Sequence, residues 1–454
     1  MGWFPSDDVD RVRRRLLKGV PILGMGILGC QGQGQEGIQE PPAERTVKPV
    51  GADSRAGDRG RPLPPDSEPR IRVRAVRIAD DLVEFGPVGK RIWVTAPGRT
   101  YRTMHLGPVR FQRIESGWRV SSSSAGRTTS RVVPGSEPLT LAMSDPGVAG
   151  PELKGRMLSG TVNLVGVGDR KRGHIDVVCH LSMESYLPGV LAGELFDSWR
   201  PATHEALAVA ARSFALCERY HWLSRRSYDV VADERSQVWN GGKAPRRPSE
   251  AVARTRGMVL IHRGRVVPGY YSASCGGRQA AAIDVISSNP VNGISPLSVP
   301  VPDLRGPCPC RSFGPHGSWR TSFDISSLNE ALASRMQSSS KVPPWPLKFE
   351  IIEESRSGRP SHYRISSSRP GSKTLELGAV ELQRGLNSTA KGRPVRSADF
   401  EVTVRPDGIQ VDGAGFGHGA GLCQYGTEAM ARADTPARQI LARYYPGVEI
   451  KRIW

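Results

Sequence analysis

Aromatic residues are scarce in this sequence of 454 residues, at 6% of the chain. Basic residues outnumber acidic ones by 63 to 44, which gives a net charge of +19, but they are spread along the chain without a dense tract. A surface that stacks nucleic-acid bases needs aromatic side chains interleaved with basic ones, and no RNA- or DNA-binding motif is present. The sequence therefore predicts no nucleic-acid partner in spite of its positive charge.

The N-terminal region lacks an apolar run long enough to cross a bilayer. The apolar segment at residues 19–29 is interrupted by Pro21, Gly24 and Gly26, and it is shorter than the ~20 residues that a membrane-spanning helix needs. It follows the basic cluster Arg13-Arg14-Arg15-Leu16-Leu17-Lys18. A basic segment before a short apolar one is typical of a signal peptide, so residues 1–30 are predicted to be an export signal.

Two features of this signal indicate where the protein is sent. The basic cluster resembles a twin-arginine export signal. Ile27-Leu28-Gly29-Cys30 resembles a lipobox, in which the cysteine is acylated, although Leu28 is larger than the small residue usual at that position. We expect an exported protein of the periplasm or cell envelope, with a membrane anchor if Cys30 is acylated.

Residues 31–69 contain six Gly and seven Pro and have scarcely any large apolar side chains. Such a segment cannot offset the conformational entropy that folding costs. It is predicted to be a disordered linker between the export signal and the folded part of the chain.

The remaining sequence predicts an α+β fold, with mixed β-sheets around a central alanine-rich helix. Alternating apolar residues at 71–76 and 91–95 indicate short strands, so residues 70–155 are predicted to form a small β-rich domain. Residues 156–305 are predicted to be the catalytic core, with strands near 160–165 and 174–181 and helices at 185–195 and 201–223. Residues 306–454 are predicted to complete this core with further strands and a short helix at 326–339.

Glu194 is the carboxylate with the least obvious structural explanation. Its sequence neighbours are Ala192, Gly193 and Leu195, and an apolar setting disfavours the ionised form of a carboxyl group. Glu205 differs, because a negative charge in the first turn of a helix is favoured by the helix dipole. Arg212, on the alanine-rich helix, allows the alternatives of a surface residue or a buried ion pair.

Six blocks occur in a fixed order and carry a resemblance to a known family. They are Tyr186-Leu187-Pro188-Gly189-Val190 with Gly193-Glu194, the helix from Glu205 to Leu216, Ser236-Gln237-Val238-Trp239-Asn240-Gly241-Gly242, Ala251-Val252 with Thr255-Arg256-Gly257, Tyr270-Tyr271-Ser272-Ala273-Ser274-Cys275-Gly276-Gly277, and Gly415-Phe416-Gly417-His418-Gly419-Ala420-Gly421-Leu422-Cys423-Gln424-Tyr425-Gly426. Together they cover roughly residues 150–454. The sequence resembles the sporulation stage II protein D and amidase-enhancer family.

The resemblance implies a peptidoglycan lytic transglycosylase that acts on glycan strands. It places the family's proposed catalytic acid on Glu194 and its important arginine on Arg212. An ordinary glycosidase uses two carboxylates, whereas a lytic transglycosylase can use one group as acid and then as base, with no cofactor required. The amidase-enhancer branch implies an alternative, a non-catalytic wall-binding protein that enhances an amidase or another wall hydrolase.

The glycine-rich segment 413–426 surrounds His418. Glycines allow positive φ angles and a close approach of a ligand to the backbone, but the segment has no lysine and no strand and helix in P-loop order. We therefore interpret it as part of a glycan groove, with substrate-binding residues His418, Gln424, Tyr425 and, from an earlier block, Tyr271.

Three cysteines lie in loops rich in Gly and Pro, namely Cys275, Cys308 and Cys310. A disulfide from Cys275 to Cys308 or Cys310 would suit an exported protein. A structural zinc site that adds His316 or His418 is the alternative, and the resemblance implies zinc near Cys275 in some family members. A thiol hydrolase that uses Cys275 and His418 is a third reading of the same residues, without a base close to Cys275 in the sequence.

Overall fold

The computed structural model describes residues 67–454, except for 87–90, 96–101, 107, 125, 136–137, 144–150, 155, 169–172, 242–243, 288, 299–305, 337–341, 370, 373, 391 and 393. The predicted export signal, Cys30 and the predicted linker up to residue 66 lie outside the described residues. Within the described ranges, no helix combines the length and apolarity needed to cross a membrane.

The described strands are β1 (Arg70–Ile78), β2 (Leu82–Phe85), β3 (Arg91–Thr95), β4 (Arg102–Leu106), β5 (Val109–Ile114), β6 (Gly117–Ser124), β7 (Arg127–Pro134), β8 (Leu139–Met143), β9 (Glu152–Leu153), β10 (Arg156–Met157), β11 (Thr161–Val167), β12 (His174–Ser182), β13 (Val230–Val231), β14 (Met258–His262), β15 (Arg265–Val266), β16 (Tyr271–Ser272), β17 (Trp319–Asp324), β18 (Leu347–Glu354), β19 (Pro360–Ser367), β20 (Leu375–Gly378), β21 (Phe400–Arg405), β22 (Gly408–Gly413), β23 (Leu422–Cys423) and β24 (Glu449–Arg452).

The described α-helices are α1 (Met183–Glu194), α2 (Pro201–Trp222), α3 (Arg246–Arg254), α4 (Ala282–Val285), α5 (Cys310–Phe313), α6 (Ile325–Ala333), α7 (Ala379–Ser388), α8 (Gln424–Arg432) and α9 (Ala437–Tyr444). Two short 3₁₀ helices lie at Pro290–Gly293 and Ser295–Leu297. The predicted α+β class is confirmed.

The largest sheet has the strand order β13-β1-β12-β11-β8-β3-β4. Strand β12 lies between β1 and β11 and is antiparallel to both, with Cys179 opposite Val73 on one side and Val162 on the other. Strands β3, β4 and β8 extend this sheet further. The sheet thus joins strands from both sides of residue 155, the predicted boundary of the small β-rich domain. A separate sheet of the order β2-β5-β6-β7 contains four other strands of that region, and β9 pairs with β10.

Helix α2 is the central helix that the alanine-rich sequence predicts. Its residues from Ala206 to Ser213 are all buried, and small side chains let neighbouring elements approach closely. The preceding helix, α1, differs from the prediction in its start. It begins at Met183, where Ser182 caps the helix by accepting a hydrogen bond from the backbone N–H of Ser185. Pro188 therefore lies in the second turn, where it cannot donate to the carbonyl of residue 184.

The described residues between Trp319 and Val411 contain a second hydrophobic core. Two three-stranded sheets, β17-β22-β21 and β18-β19-β20, pack with α6 and α7 around buried Leu332, Ile365, Leu382 and Phe400. The chain leaves this core through β22 and enters the glycine-rich segment. That segment pairs with the loop after β16, at Ser274 with Phe416 and at Ala280 with Ala420.

A candidate active site around Glu194

Glu194 is the last residue of α1 and is partly exposed. Its carboxylate accepts hydrogen bonds from three other segments of the chain. The backbone N–H of Val238 donates to Oε1 over 2.8 Å, and the Tyr271 hydroxyl donates to the same oxygen over 3.4 Å. The side-chain amide of Gln424 donates to Oε2 over 3.1 Å. Two of the predicted substrate-binding residues, Tyr271 and Gln424, therefore meet the predicted acid.

Close backbone approach explains how Val238 reaches the carboxylate. A Cβ atom added to Gly193 would lie 2.6 Å from the Val238 carbonyl oxygen, closer than real Cβ contacts allow. A glycine at position 193 thus lets the 238 loop pass directly beside the end of α1. Gly193 therefore leaves room for the Val238 backbone, whose N–H donates a hydrogen bond to the neighbouring Glu194.

Tyr271 and Gln424 are brought together by a short parallel pairing of β16 with β23. Tyr271 lies opposite Leu422, and Ser272 lies opposite Cys423. Gln424 follows at the first position of α8 and is buried. Tyr271 and Gln424 are far apart in the chain, and the pairing of β16 with β23 brings both of them to Glu194.

The setting of Glu194 is therefore more polar than its sequence neighbours predict. Side chains adjacent in a helix point in different directions, so Ala192 and Leu195 do not define the environment of the carboxylate. The donors from Val238, Tyr271 and Gln424 are all uncharged. Burial raises the pKa of Tyr271 well above its ordinary value, and the charge of Glu194 raises it further. Tyr271 consequently stays protonated and remains a hydrogen-bond donor at neutral pH.

Gln237 is a site residue to which the sequence assigned no role. It directly precedes Val238 in the chain and is fully buried. The Tyr186 hydroxyl donates to its Oε1 over 3.0 Å, and its Nε2 donates to the Ala211 carbonyl over 3.2 Å. The block at 236–242 marks the segment, but no local pattern indicates which of its residues faces the acid.

Arg212 lies in a different place from the acid's donors and is paired with Glu184. Its Nη2 and Nε atoms are 2.7 and 3.1 Å from the two oxygens of that carboxylate. The guanidinium also donates to the carbonyls of Met258 and Ala208. Desolvation lowers the pKa of Arg212, and the hydrogen bonds and charge of Glu184 oppose this shift. Of the two alternatives that the sequence left open, the structure contains the buried ion pair.

The side chains of His418 and Tyr425 make contacts within the protein that hold the glycine-rich segment in place. The Nδ1 atom of His418 accepts a hydrogen bond from the Ala420 backbone N–H over 3.0 Å, and the imidazole packs edge-on against Tyr270. Desolvation, with the nearby charge of Arg359 adding to it, lowers the pKa of His418 to about 4. Tyr425 is buried against Trp199 and His316.

Four buried cysteines form a cluster next to this segment. The Sγ atoms of Cys275, Cys308, Cys310 and Cys423 all lie within 4.8 Å of one another. Cys423 thus occupies the fourth position, where the sequence had offered His316 or His418. The Sγ atoms of Cys275 and Cys310 are 3.6 Å apart, whereas a disulfide bond measures about 2.0 Å.

The donor set of this cluster fits zinc. A tetrahedral zinc bound to four thiolates at about 2.3 Å holds its sulfur atoms about 3.8 Å apart. Four thiolates with all positions filled are typical of a structural site, because a catalytic site keeps one position open. The same burial of Cys275 argues against its use as an exposed nucleophile for a thiol hydrolase.

Comparisons with known proteins match the region that contains Glu194. A family model described as "Stage II sporulation protein" matches residues 171–262, the stretch that contains α1, α2 and Glu194. An uncharacterized protein of Brachyspira hyodysenteriae is 31% identical over 278 residues, which cover 60% of this chain and 68% of the relative. The chain belongs to the stage II sporulation protein D family.

Two relatives from Bacillus subtilis extend the stage II sporulation protein D family match. The protein named stage II sporulation protein D is 25% identical over 287 residues, which cover 60% of this chain and 75% of the relative. The amidase enhancer is 26% identical over 302 residues, which cover 58% of this chain and 40% of the relative. The chain therefore spans less than half the length of that enhancer.

Proposed function

We propose that this protein is an exported lytic transglycosylase that cleaves the glycan strands of peptidoglycan, with Glu194 as acid and then as base. The relatives named amidase enhancer and stage II sporulation protein D support a role at the cell wall. The observation that carries the proposal is a partly exposed carboxylate held by three uncharged donors, at Val238, Tyr271 and Gln424.

The reaction needs one group that first gives and then takes a proton. In the first step, the Glu194 carboxylic acid donates its proton to the glycosidic oxygen while the bond from that oxygen to the anomeric carbon breaks. In the second, the Glu194 carboxylate takes the proton of the 6-hydroxyl of the same sugar as O6 bonds to the anomeric carbon. The products are a 1,6-anhydro end and a new hydroxyl end, and no water is consumed.

The uncharged donors suit the carboxylate form of Glu194, which the first step produces and the second step uses. Hydrogen bonds from Tyr271 and Gln424 hold the carboxylate in place after it has lost its proton, because hydrogen bonds to an ionised acceptor are the stronger ones. A cation in direct contact would instead oppose the return of the proton to Glu194. Arg212 acts at the other end of α1, through Glu184, and positions the helix without contacting the substrate.

The test is mass spectrometry of fragments released from intact and from peptide-stripped wall glycan. We expect 1,6-anhydro ends with the wild-type protein and none with Glu194→Gln, which keeps the size of the side chain but cannot exchange the proton. Comparing the two substrates shows whether stem peptides block cleavage. Undiminished release of anhydro ends by Glu194→Gln would refute the proposed role of Glu194.

The relative named amidase enhancer favours one second candidate, a non-catalytic protein that binds wall glycan and enhances an amidase. It predicts that glycan is bound without the appearance of new ends even at high protein concentration. It also predicts that a wall amidase releases peptides faster when the protein is added, and equally so with Glu194→Gln.

The proposed cofactor is one structural zinc held by the four clustered cysteines. It would supply a cross-link between the loop after β16, the start of α5 and the start of α8, and would take no part in the reaction. We expect Cys423→Ser to lower the zinc content of the purified protein from about one equivalent to a small fraction of that. Cys217→Ser is the matched control, because Cys217 is buried but lies outside the cluster. A metal-free wild-type protein with an oxidised Cys275 would support the disulfide instead.

A further inference from the structure

Helix α8 carries two polar side chains that reach different helices of the core. Gln424, at its first position, donates to Oε2 of Glu194 at the end of α1. Glu428, one turn later, accepts through its own Oε2 from the Arg200 backbone N–H over 2.9 Å and from the Thr203 hydroxyl over 2.8 Å. Both of these donors belong to the start of α2. Helix α8 therefore contacts the end of α1 and the beginning of α2 at the same time.

The Glu428 carboxylate is fully buried, and its second oxygen is paired with a cation. Thr203, which donates to it, is fully buried as well. The Nε atom of Arg432, one turn further along α8, lies 2.7 Å from Oε1 of Glu428. Such contacts are what a buried carboxylate needs, because one that lacks a partner destabilises the fold strongly. The contacts with Arg200, Thr203 and Arg432 thus hold Glu428 in one position.

The beginning of α2 is stabilised by this contact. Arg200 occupies the N-cap position of α2 and makes no side-chain capping hydrogen bond. The N–H groups at the start of a helix have no partner within the helix, and they attract negative charge. Glu428 supplies both the acceptor and the charge from another helix. The contact therefore favours one position of α8 relative to α2.

We propose that Glu428 is a positioning residue, which holds α8 against α2 and so keeps the Gln424 amide at the Glu194 carboxylate. Residues 424 and 428 are four positions apart, so they lie on the same side of α8 and about 6 Å apart along its axis. A shift of α8 at Glu428 is therefore passed on to Gln424. The effect on Gln424 follows from the hydrogen bonds alone, whereas the effect on catalysis rests on the proposed function.

The other contacts that place α8 act at its first turn. Strand β23 pairs with β16 just before the helix, at Leu422 and Cys423. The Sγ atom of Cys423 also accepts from the Gly426 backbone N–H over 3.3 Å. Contacts at one end of a helix allow it to pivot, whereas a further contact one turn along fixes its direction. Glu428 provides that further contact.

The test compares Glu428→Ala with a matched control, Asp176→Ala. Asp176 is also a buried carboxylate, and its partner Arg77 is half exposed, as Arg432 is. It lies on β12 and not on α8. We expect Glu428→Ala to lower kcat for the release of anhydro ends by about 10-fold and to change KM by less than about twofold. Asp176→Ala should leave kcat within about twofold of wild type.

An equal loss of kcat in the Glu428 and Asp176 variants would show a general effect of removing a buried carboxylate, and it would overturn the inference. A loss confined to KM would overturn it as well, because a misplaced Gln424 affects the reacting carboxylate and not the binding of glycan.

A double-mutant cycle identifies the residue through which Glu428 acts. Gln424→Leu removes the donor to Glu194 and keeps a side chain of similar size. The variant with both Gln424→Leu and Glu428→Ala should cleave glycan no more than about twofold more slowly than Gln424→Leu alone. Losses that multiply in the double variant would overturn the inference, because Glu428 would then act by another route.

Crystal structures of the variants test the position of Gln424 without any cleavage. In wild type, the Gln424 amide nitrogen is 3.1 Å from Oε2 of Glu194. We expect this distance to exceed the ~3.5 Å at which a hydrogen bond is lost in Glu428→Ala, and to stay unchanged in Asp176→Ala. Thr203→Val removes one donor to Glu428 from the side of α2, and it should lengthen the same distance if Glu428→Ala does not fold.

Crystal structures and cleavage assays together separate the positioning role from the proposed function. If the wild-type protein releases no anhydro ends but the Gln424 amide leaves Glu194 in the Glu428→Ala variant, the proposed function fails and the positioning role is supported. If the amide stays at Glu194 in every folded variant of Glu428 and Thr203, the positioning role is overturned whether or not the protein cleaves glycan.

Discussion

Helix α1 carries a glutamate near each end, and the two are held in opposite ways. Glu184, in its first turn, pairs with the buried guanidinium of Arg212 and also accepts from the Gly257 backbone and the Trp454 indole. Glu194, in its last turn, accepts from three uncharged groups. A full opposite charge fixes a carboxylate as an anion, whereas neutral donors hold it in place and favour the anion less strongly.

The comparison shows how one helix combines a structural end with a reactive end. Breaking the Glu184 pair leaves a buried charge without its partner, which is among the larger costs that a single substitution can cause. Removing the charge of Glu194 leaves the neutral donors of Val238, Tyr271 and Gln424 in place. Substitutions at the two ends should therefore differ clearly in their effect on the free energy of unfolding.

Arg212→Ala should lower the free energy of unfolding by about 3 to 5 kcal/mol, because Glu184 would stay buried without a counter-charge. Urea denaturation measures the change. Arg254→Ala is the control, since its pairing with Glu205 is half exposed and should contribute less than about 1 kcal/mol. If Arg212→Ala kept its stability but lost glycan cleavage, the structural role assigned to this end of α1 would be wrong.

His418→Asn should change how the free energy of unfolding depends on pH. His418 lies in the glycine-rich segment that also carries Gln424, a donor to Glu194. Desolvation lowers the pKa of folded His418 to about 4, from about 6.5 in the unfolded chain. As the pH falls, the unfolded chain therefore takes up the proton first. The stability from the neutral ring is complete above about pH 6.5 and is lost progressively towards pH 4, by about 3 kcal/mol.

Asparagine can still accept from the Ala420 backbone but cannot be protonated in this range. Thermal unfolding of wild type and His418→Asn between pH 7 and 4 isolates the histidine, because other titrating groups are common to both. Parallel stability curves for the two proteins would mean that His418 is not held neutral by the fold.

Glu194→Gln should have the smallest effect on stability, within about 1 kcal/mol, because the carboxamide oxygen can still accept from Val238 and Tyr271. Differential scanning calorimetry beside Glu184→Gln makes the comparison direct, since the Glu184 variant loses a charge opposite Arg212. Equal destabilisation by the two substitutions would break the contrast between the two ends of α1.

Much of the local structure could be predicted from the sequence. Alternation at 91–95 matches β3, and the alanine-rich segment matches α2. The start of α1 was predicted late, because Ser185 resembles a capping residue while the cap is Ser182. The predicted helix at 326–339 is shorter in the structure, at Ile325–Ala333.

The site depended on contacts that no local pattern shows. The donors to Glu194 are separated from it by 44, 77 and 230 residues along the chain. The partner of Arg212 lies on another helix, and Cys423 joins three cysteines that precede it by more than a hundred residues. Sequence neighbours therefore gave Glu194 an apolar setting that the fold replaces with hydrogen-bond donors.

The sequence by itself determined the helix with Gly193 and Glu194 at its end, the buried face of α2 and the glycines that let the 413–426 segment approach its neighbours. These follow from side-chain spacing and from backbone freedom, which are local properties. Only the tertiary structure decided that Arg212 would pair with Glu184, that Gln424 would reach Glu194 and that four cysteines would meet. These partners are distant in the chain, and packing selects them because a buried polar group without a partner lowers stability.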